Sequence, residues 1–162
     1  MDLQSDHKIV ARPFILILVF ISLFPIASDA QPPPPNIIYI MADDLGYADL
    51  SCYGQKNYQT PNIDKLAAQG VKFINAYAAA PVCTPTRTGF MTGRYPARTP
   101  IGLIEPLDWS AKDSTMGLTP QYPTIATYLK KAGYETYLVG KWHLGFSPAF
   151  SPIKNGFNYF FG

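Results

Sequence analysis

Residues 83–94 read CTPTRTGFMTGR, and start and stop signals for a helix frame this stretch. Thr84 is a good N-cap, Pro85 suits the first helical position, and Gly93 fits the end of a helix. The pattern therefore predicts a short helix over residues 86–92. The cysteine that opens the stretch would lie at the N-terminal end of that helix.

The same stretch predicts an anion site at the start of the helix. Free backbone N–H groups and the helix dipole favour negative charge at a helix N-terminus. Arg87, one turn into the predicted helix, adds a planar guanidinium that suits a tetrahedral oxyanion. The combination suits sulfate or phosphate, and it would hold that anion beside Cys83.

Two adjacent carboxylates, Asp43 and Asp44, follow the apolar run Ile37 to Met41. A short, nearly continuous apolar run is typical of a strand that is buried on both faces of a parallel sheet. Neighbouring carboxylates repel unless a cation neutralises them, and a hard divalent ion with oxygen ligands is the obvious partner. A solvated turn with a helix cap is the alternative for an isolated Asp-Asp pair.

A second polar pair, Lys141 and His143, flanks Trp142 directly after another predicted strand. Strand alternation would send both polar side chains to the same side. Taken alone, a Lys-x-His sequence is more often a surface lysine beside a hydrogen-bonded histidine than a functional pair. The pair becomes a candidate site only in the context of the other motifs.

The remaining patterns predict alternating strands and helices. The predicted elements are a helix over 61–69, a strand over 71–77, a long loop over 95–122, a helix over 122–131 that Gly133 ends, and a strand over 134–139. This order implies an α/β sandwich with a mainly parallel sheet. Sites in such folds lie at the carboxyl ends of the strands.

Residues 1–30 differ from the rest of the chain. Two basic residues precede an apolar run over 13–26, and small residues fit a cleavage site after Ala30, so we expect a secretory signal peptide. An uncleaved membrane anchor is the alternative, although the run is short for a span of about 20 residues. Residues 31–35 form a proline-rich spacer, and the folded domain is expected to start near residue 36.

Composition narrows the class of protein. The chain has 162 residues, 48% hydrophobic and 15% charged, which is ordinary for a globular protein. Its formal net charge of +2 and the lack of a pronounced basic cluster give no footprint of a nucleic-acid partner. The two cysteines, Cys52 and Cys83, allow a disulfide in an oxidising compartment, but that pairing leaves the Pro-x-Arg context of Cys83 unexplained.

Four motifs in order resemble the sulfatase family, specifically the formylglycine-dependent, arylsulfatase-like members of the alkaline-phosphatase superfamily. They are NIIYIMADDLGY (36–47), TPNIDKLAAQG (60–70), the C-x-P-x-R signature followed by TGR (83–94), and GKWHLG (140–145). The resemblance covers residues 36–162. It implies a mainly parallel sheet between helices, and it matches the N-terminal part of the catalytic domain, incomplete at the C-terminus.

The resemblance implies hydrolysis of sulfate esters, with sulfated carbohydrate as the expected substrate. The signature cysteine, here Cys83, would be oxidised to formylglycine by a separate maturase, and its aldehyde would hydrate to a diol. One hydroxyl would attack sulfur and release the alcohol, and the other would then collapse to the aldehyde and expel sulfate. The resemblance also implies Ca²⁺ bound by Asp43, Asp44 and an oxygen of the modified Cys83.

The resemblance assigns roles to three more residues. Lys141 would bind the sulfate oxygens, His143 would hydrogen-bond the diol and help its collapse, and Arg87 would orient the diol and support metal binding. Further metal ligands and catalytic groups come from a later part of the family's domain and have no counterpart before Gly162. We therefore expect the 162-residue chain alone to bind metal weakly and to be inactive.

Two rival functions stay open. One is a related phosphohydrolase, which the cysteine in C-x-P-x-R argues against. The other is a secreted pseudo-enzyme or inactive fragment that binds sulfated glycans in the anion pocket. All three readings place the protein in the secretory pathway, with an extracellular, periplasmic or lysosomal destination and no stable membrane span after signal cleavage. Asp49 and Asp64 are left out of the candidate site, since the helix dipole alone accounts for Asp64.

Overall fold

The computed structural model describes residues 32–104, 106–108 and 115–162. The predicted signal peptide and part of the predicted loop lie outside the described residues. The chain divides into two compact units, Met1–Met41 and Ala42–Gly162, which are taken separately below. Among the described residues, no helix has the length and apolar character needed to cross a bilayer.

The described part of the first unit contains the proline-rich spacer and the first apolar run. Residues 32–41 adopt no regular secondary structure, so the strand predicted at Ile37 to Met41 is wrong for this structure. The side chains of residues 37–40 are exposed, with Ile38 86% accessible, and Met41 is half-buried. A strand buried in a parallel sheet needs partner strands and cover on both faces, whereas these side chains face solvent.

Helix α1, Pro61–Gln69, has the predicted bounds, with Pro61 in its first turn and Gly70 at its end. The predicted strand over 71–77 is absent, and its apolar side chains are exposed. Helix α1 itself has no buried residue. The contacts that fix this region are polar and lie around its first turn.

Asp64, in the first turn of α1, collects the hydrogen bonds of this polar cluster. Its carboxylate accepts from the Ser51 hydroxyl at 2.7 Å, from the Cys52 backbone N–H at 2.9 Å and from the Thr60 hydroxyl at 3.0 Å. These donors, the Ser51 hydroxyl foremost, hold the pKa of Asp64 below its ordinary value. Asp64 therefore has a structural role, and Thr60 contributes through this cluster instead of capping the helix N–H groups.

Replacing Asp64 with asparagine is expected to remove an acid-sensitive part of the stability. Because the pKa is lowered by folding, this carboxylate stabilises the fold above its unfolded pKa of about 3.9, and the contribution disappears as the pH falls through the lower folded value. Urea unfolding at a series of pH values should show a less stable variant at pH 7 and a shallower loss between neutral and acid pH. A variant with the wild-type profile would contradict this role.

Helix α2, Cys83–Thr92, starts earlier than predicted. Val82 is its N-cap, so Cys83 is the first helical residue and Thr84 lies inside the first turn instead of capping it. Proline is tolerated throughout a first helical turn because its missing N–H would have no partner there. The predicted end is confirmed, since Gly93 closes the helix in a left-handed conformation with φ 63°.

Helix α3, Ile125–Lys131, and two short strands complete the regular elements. Thr124 caps α3 through a reciprocal pair of hydrogen bonds with Thr127, so the helix begins later than predicted. Strands β1, Tyr137–Val139, and β2, Tyr159–Phe161, pair in parallel with Leu138 opposite Phe160. The parallel pairing agrees with the predicted α/β class, and β1 is the C-terminal half of the strand predicted over 134–139.

Short 3₁₀ turns and a small core connect these elements. The described residues of the predicted loop after α2 include the 3₁₀ turns Pro96–Arg98 and Ile101–Leu103 and an isolated bridge between Gly117 and Gly145. The buried apolar side chains come from α2, this loop, α3 and the segment after β1, and they are Met91, Ile101, Leu107, Leu118, Ala126, Trp142, Leu144 and Phe157. The core thus packs the segment that carries Lys141 and His143 against the signature helix.

Candidate functional site

Cys83 lies in the first turn of α2 and is half-buried. Lys141, just beyond β1, reaches it, and its Nζ donates to Cys83 Sγ at 3.4 Å. Both cysteines are free, so the disulfide that the sequence allowed between Cys52 and Cys83 is absent. Cys83 therefore presents its sulfur to a lysine ammonium at a helix N-terminus.

The predicted carboxylate pair lies beside this cysteine. Ligand atoms of Asp43, Asp44 and Cys83 all lie within 4.8 Å of one another. Asp44 adopts a positive φ of 55°, which is uncommon outside glycine, although aspartate is among the residues that tolerate it best. The turn after residue 41 thus brings both carboxylates to the start of α2.

Two cations contact Asp43. Arg87 Nη2 donates to Oδ1 at 3.0 Å, and Lys141 Nζ donates to Oδ2 at 2.9 Å. These hydrogen bonds, that of Lys141 first, lower the pKa of Asp43, and the bond to Asp43 raises the pKa of Lys141. Asp43 is accordingly ionised and Lys141 protonated across the neutral range.

Arg87 joins three segments of the chain. It is 9% exposed, and its Nη1 donates to the Lys141 backbone carbonyl at 2.7 Å while Nη2 holds Asp43. The fork geometry of a guanidinium allows both bonds at once, which a lysine in its place would not reproduce. Arg87 thus fixes the turn with the carboxylates and the segment after β1 to α2.

Thr84 makes a second connection between α2 and the segment after β1. It is fully buried, and its hydroxyl donates to the His143 backbone carbonyl at 3.1 Å. The same hydroxyl accepts from the Leu107 N–H at 3.1 Å, and the His143 ring bonds to the Leu107 carbonyl at 2.6 Å. His143, like Asp44, has a positive φ, at 57°.

Direct contacts therefore link four of the six predicted site residues, Asp43, Cys83, Arg87 and Lys141, and a carboxylate oxygen of Asp44 lies within 4.8 Å of the ligand atoms of Asp43 and Cys83. His143 is tied to the same helix through Thr84. The sequence reasoning missed Thr84, to which it gave only a capping role, and it also missed Leu107. The sequence offered no signal for either residue, because the pattern places the helix start after Thr84, whereas in the structure the helix begins at Cys83 and the Thr84 hydroxyl bonds elsewhere.

Two of the three potential ligand residues suit a hard cation. Asp43 and Asp44 offer carboxylate oxygens, which Ca²⁺ and Mg²⁺ prefer. The sulfur of Cys83 is a soft ligand and suits these ions poorly. An oxygen at that position, as in an oxidised form of the residue, would complete an all-oxygen set. These residues therefore fit a hard divalent ion once the side chain at 83 carries oxygen.

The chain is similar to sulfatases over most of its length. A family model described as Sulfatase matches residues 35–162. The mouse steryl-sulfatase is 44% identical over 93% of this chain and 26% of its own length, and the human N-acetylgalactosamine-6-sulfatase is 40% identical over 83% and 26%. One similar solved structure is a protein described as part of the metabolism of multiple glycosaminoglycans by Bacteroides thetaiotaomicron. It is 46% identical, the match covers 78% of this chain and 27% of that chain, and the TM-score is 0.69.

The chain thus spans about a quarter of the length of the curated relatives that it matches. The structural match confirms the predicted α/β fold of the alkaline-phosphatase and sulfatase type for the part that is covered. The family match and the identity to curated relatives extend over the residues between the quoted motifs as well. Together they show that the chain belongs to the sulfatase family of sulfuric ester hydrolases, which generally use formylglycine and a divalent metal ion.

Proposed function

We propose that this chain carries the nucleophile, the anion-binding groups and the first metal ligands of a hydrolase that cleaves sulfate esters. The main support is the position of Lys141 Nζ, which lies 3.4 Å from Cys83 Sγ and 2.9 Å from Asp43 Oδ2. The nucleophile position, a cation for the substrate and a metal ligand therefore share one contact network. Family membership supports the same reaction.

The nucleophile in this proposal derives from Cys83 after its oxidation to formylglycine, whose hydrated aldehyde supplies a hydroxyl for attack on sulfur. The first turn of α2 places this side chain where free backbone N–H groups favour an anion. Lys141, protonated and within reach of residue 83, would bind the sulfate oxygens and neutralise their charge. Positioning and charge neutralisation are the main demands of such a transfer, by analogy with phosphoryl transfer.

Arg87 and His143 complete the proposed arrangement. Arg87 is nearly buried, and both terminal nitrogens of its guanidinium are hydrogen-bonded, Nη1 to the Lys141 carbonyl and Nη2 to Asp43. It would therefore orient the side chain at 83 and hold Asp43 in place for the metal. His143 would exchange a hydrogen bond with the hydroxyls at residue 83 and assist the release of sulfate. The Nε2 of the ring is hydrogen-bonded to the Leu107 carbonyl, and Nδ1, which has no partner among the described residues, would be the atom that makes this exchange.

Asp43 and Asp44 would hold one calcium ion, which when bound would neutralise charge on the sulfate group. Replacing Asp43 with asparagine is expected to weaken calcium binding by about tenfold or more, because removing even an outer hydrogen-bond partner of a metal ligand costs about 10–100-fold. Calorimetric titration of the chain with Ca²⁺ measures this. Asp49→Asn is the matched control, since Asp49 lies outside the cluster and bonds the Gly46 N–H. Equal calcium affinity in both variants would contradict the assignment.

The proposed substrate is a sulfated carbohydrate. The name of the human N-acetylgalactosamine-6-sulfatase and the glycosaminoglycans named for the Bacteroides structure support a sugar sulfate, whereas the name of the mouse relative points to a steryl sulfate. We further propose that the protein enters the secretory pathway through residues 1–30 and meets a formylglycine-generating maturase. Released sulfate from a panel of sulfated sugars and steryl sulfate would separate the two substrate classes.

Mass spectrometry of the protein from its native host, together with assays on aryl sulfate and aryl phosphate, tests the proposal. We expect the Cys83 peptide to carry formylglycine and the protein to prefer the sulfate ester. A dominant phosphatase rate would replace the proposal with the phosphohydrolase alternative. An unmodified Cys83 combined with binding of sulfated glycans and no turnover would replace it with the glycan-binding alternative.

A further inference from the structure

Three hydrogen bonds close a ring among Thr84, Leu107 and His143, which lie far apart in the sequence. The Thr84 hydroxyl donates to the His143 carbonyl at 3.1 Å and accepts from the Leu107 N–H at 3.1 Å. The His143 side chain closes the ring through Nε2, which lies 2.6 Å from the Leu107 carbonyl oxygen. The hydroxyl thus holds the histidine main chain and the residue that binds the histidine ring.

The chemistry of the groups fixes the direction of every bond. A hydroxyl has one proton, a backbone N–H only donates and a carbonyl only accepts, so the Thr84 proton points to His143. Because the Leu107 carbonyl can only accept, His143 Nε2 must carry the ring proton in this bond. In the neutral ring Nδ1 is then the acceptor, and this buried atom has no hydrogen-bond partner among the described residues.

We propose that Thr84 is a positioning residue that holds His143 in the Nε2–H tautomer and keeps Nδ1 available as a hydrogen-bond acceptor. The proposal rests on the proposed function only in taking His143 as a group of the site. Its basis is the hydrogen-bond ring, the complete burial of Thr84 and the unpartnered Nδ1. Thr84 acts through the histidine and the Leu107 segment, without a role for its own hydroxyl in the chemistry.

The conformation of His143 explains why it needs such support. A non-glycine residue with a φ of 57° persists only where its surroundings hold it. The bond from Thr84 holds the carbonyl of this strained residue, and the Leu107 carbonyl holds its ring. Without the hydroxyl, both the backbone and the ring lose their common anchor.

Nuclear magnetic resonance of the histidine ring tests the proposal without any activity. The chain has two histidines, so His7→Gln leaves His143 as the single ring signal in a ¹⁵N-histidine sample of the full chain. We expect one neutral tautomer in the wild-type background, with a visible Nε2–H protected from exchange. Thr84→Val should lose that protection, and Thr84→Ser, which keeps the hydroxyl, should retain it.

Thr88→Val is the matched control for a lost buried hydroxyl. Thr88 is also fully buried in α2, and its hydroxyl donates to the Thr84 carbonyl at 2.8 Å without contacting His143. We expect Thr88→Val to lower stability but to leave the His143 signal unchanged. An Nδ1–H tautomer or an unprotected ring in the wild-type background would overturn the proposal, as would an unchanged Nε2–H in a folded Thr84→Val. These readings are independent of sulfate-ester turnover, so failure of the proposed function would be seen separately.

Discussion

Replacing Cys83 with alanine is expected to lower sulfate-ester hydrolysis by the protein from its native host by at least about a thousandfold, the order of loss found when a covalent nucleophile is removed. Alanine cannot be oxidised to formylglycine, so the proposed hydroxyl nucleophile would not form. The anion-binding helix end and the contacts of Lys141 with Asp43 would persist in the variant. Initial rates on an aryl sulfate, with the protein concentration held equal, measure the effect.

The chain provides its own control in Cys52. This half-buried cysteine engages its backbone in the Asp64 cluster, since its N–H bonds Asp64 and its carbonyl accepts from Lys72. Alanine keeps both backbone bonds, so Cys52→Ala should retain the wild-type rate. If Cys83→Ala kept most of the activity, or if the two variants lost it equally, the nucleophile assignment would be wrong.

Gly145→Ala is expected to destabilise the chain through two separate effects. Gly145 has a φ of 125°, and a Cβ there would lie 2.5 Å from Phe150 Cβ and 2.9 Å from Gly117 Cα. A left-handed backbone costs an L-residue about 1–2 kcal/mol, and overpacking adds about 1–3 kcal/mol. Urea unfolding of the chain should show the sum of both effects.

Gly54→Ala separates these two causes. Gly54 has a similar φ of 109°, but a Cβ there would meet no atom within 4 Å. Only the backbone part of the loss, about 1–2 kcal/mol, should appear in this variant. Equal losses in the two variants would show that the contact between Phe150 and the glycine pair Gly117 and Gly145 is not tight.

The helices were predictable because their signals are local. Pro61 and Gly70 frame α1, and Gly93 ends α2, in both the sequence pattern and the structure. The start of α2 was misplaced because proline is acceptable at several positions of a first turn, so Pro85 does not identify the first residue. Capping residues and left-handed glycines act over one turn and need no tertiary information.

The predicted strands fared worse because strand formation depends on distant partners. Residues 37–41 and 71–77 have the apolar runs of strands but no strand conformation, whereas the run after α3 forms β1 opposite β2. A strand forms only when a second strand lies beside it to complete the hydrogen bonds, and the sequence pattern of one segment does not show whether that second strand is present. The parallel pairing of β1 and β2 is the part of the predicted sheet that the described residues contain.

The candidate site was predictable where a motif contains a charged or chemically reactive side chain. Asp43, Asp44, Cys83, Arg87 and Lys141 were all named from the sequence, and the structure brings them together, Asp44 by proximity and the other four by direct contacts. Thr84 and Leu107 escaped notice because their contributions are a buried hydroxyl and a backbone carbonyl. Such groups occur in every protein, so only the folded geometry distinguishes them.

Two side chains of helix α2 hydrogen-bond to the backbone of the segment after β1. Arg87 binds the carbonyl of residue 141, and Thr84 binds the carbonyl of residue 143. Both bonds reach backbone carbonyls, so neither bond itself depends on which side chain stands at residue 141 or 143. A substitution of the side chain at residue 141 or 143 leaves these two backbone bonds available, so the change in activity that it causes reports on the removed side chain and not on a displaced segment.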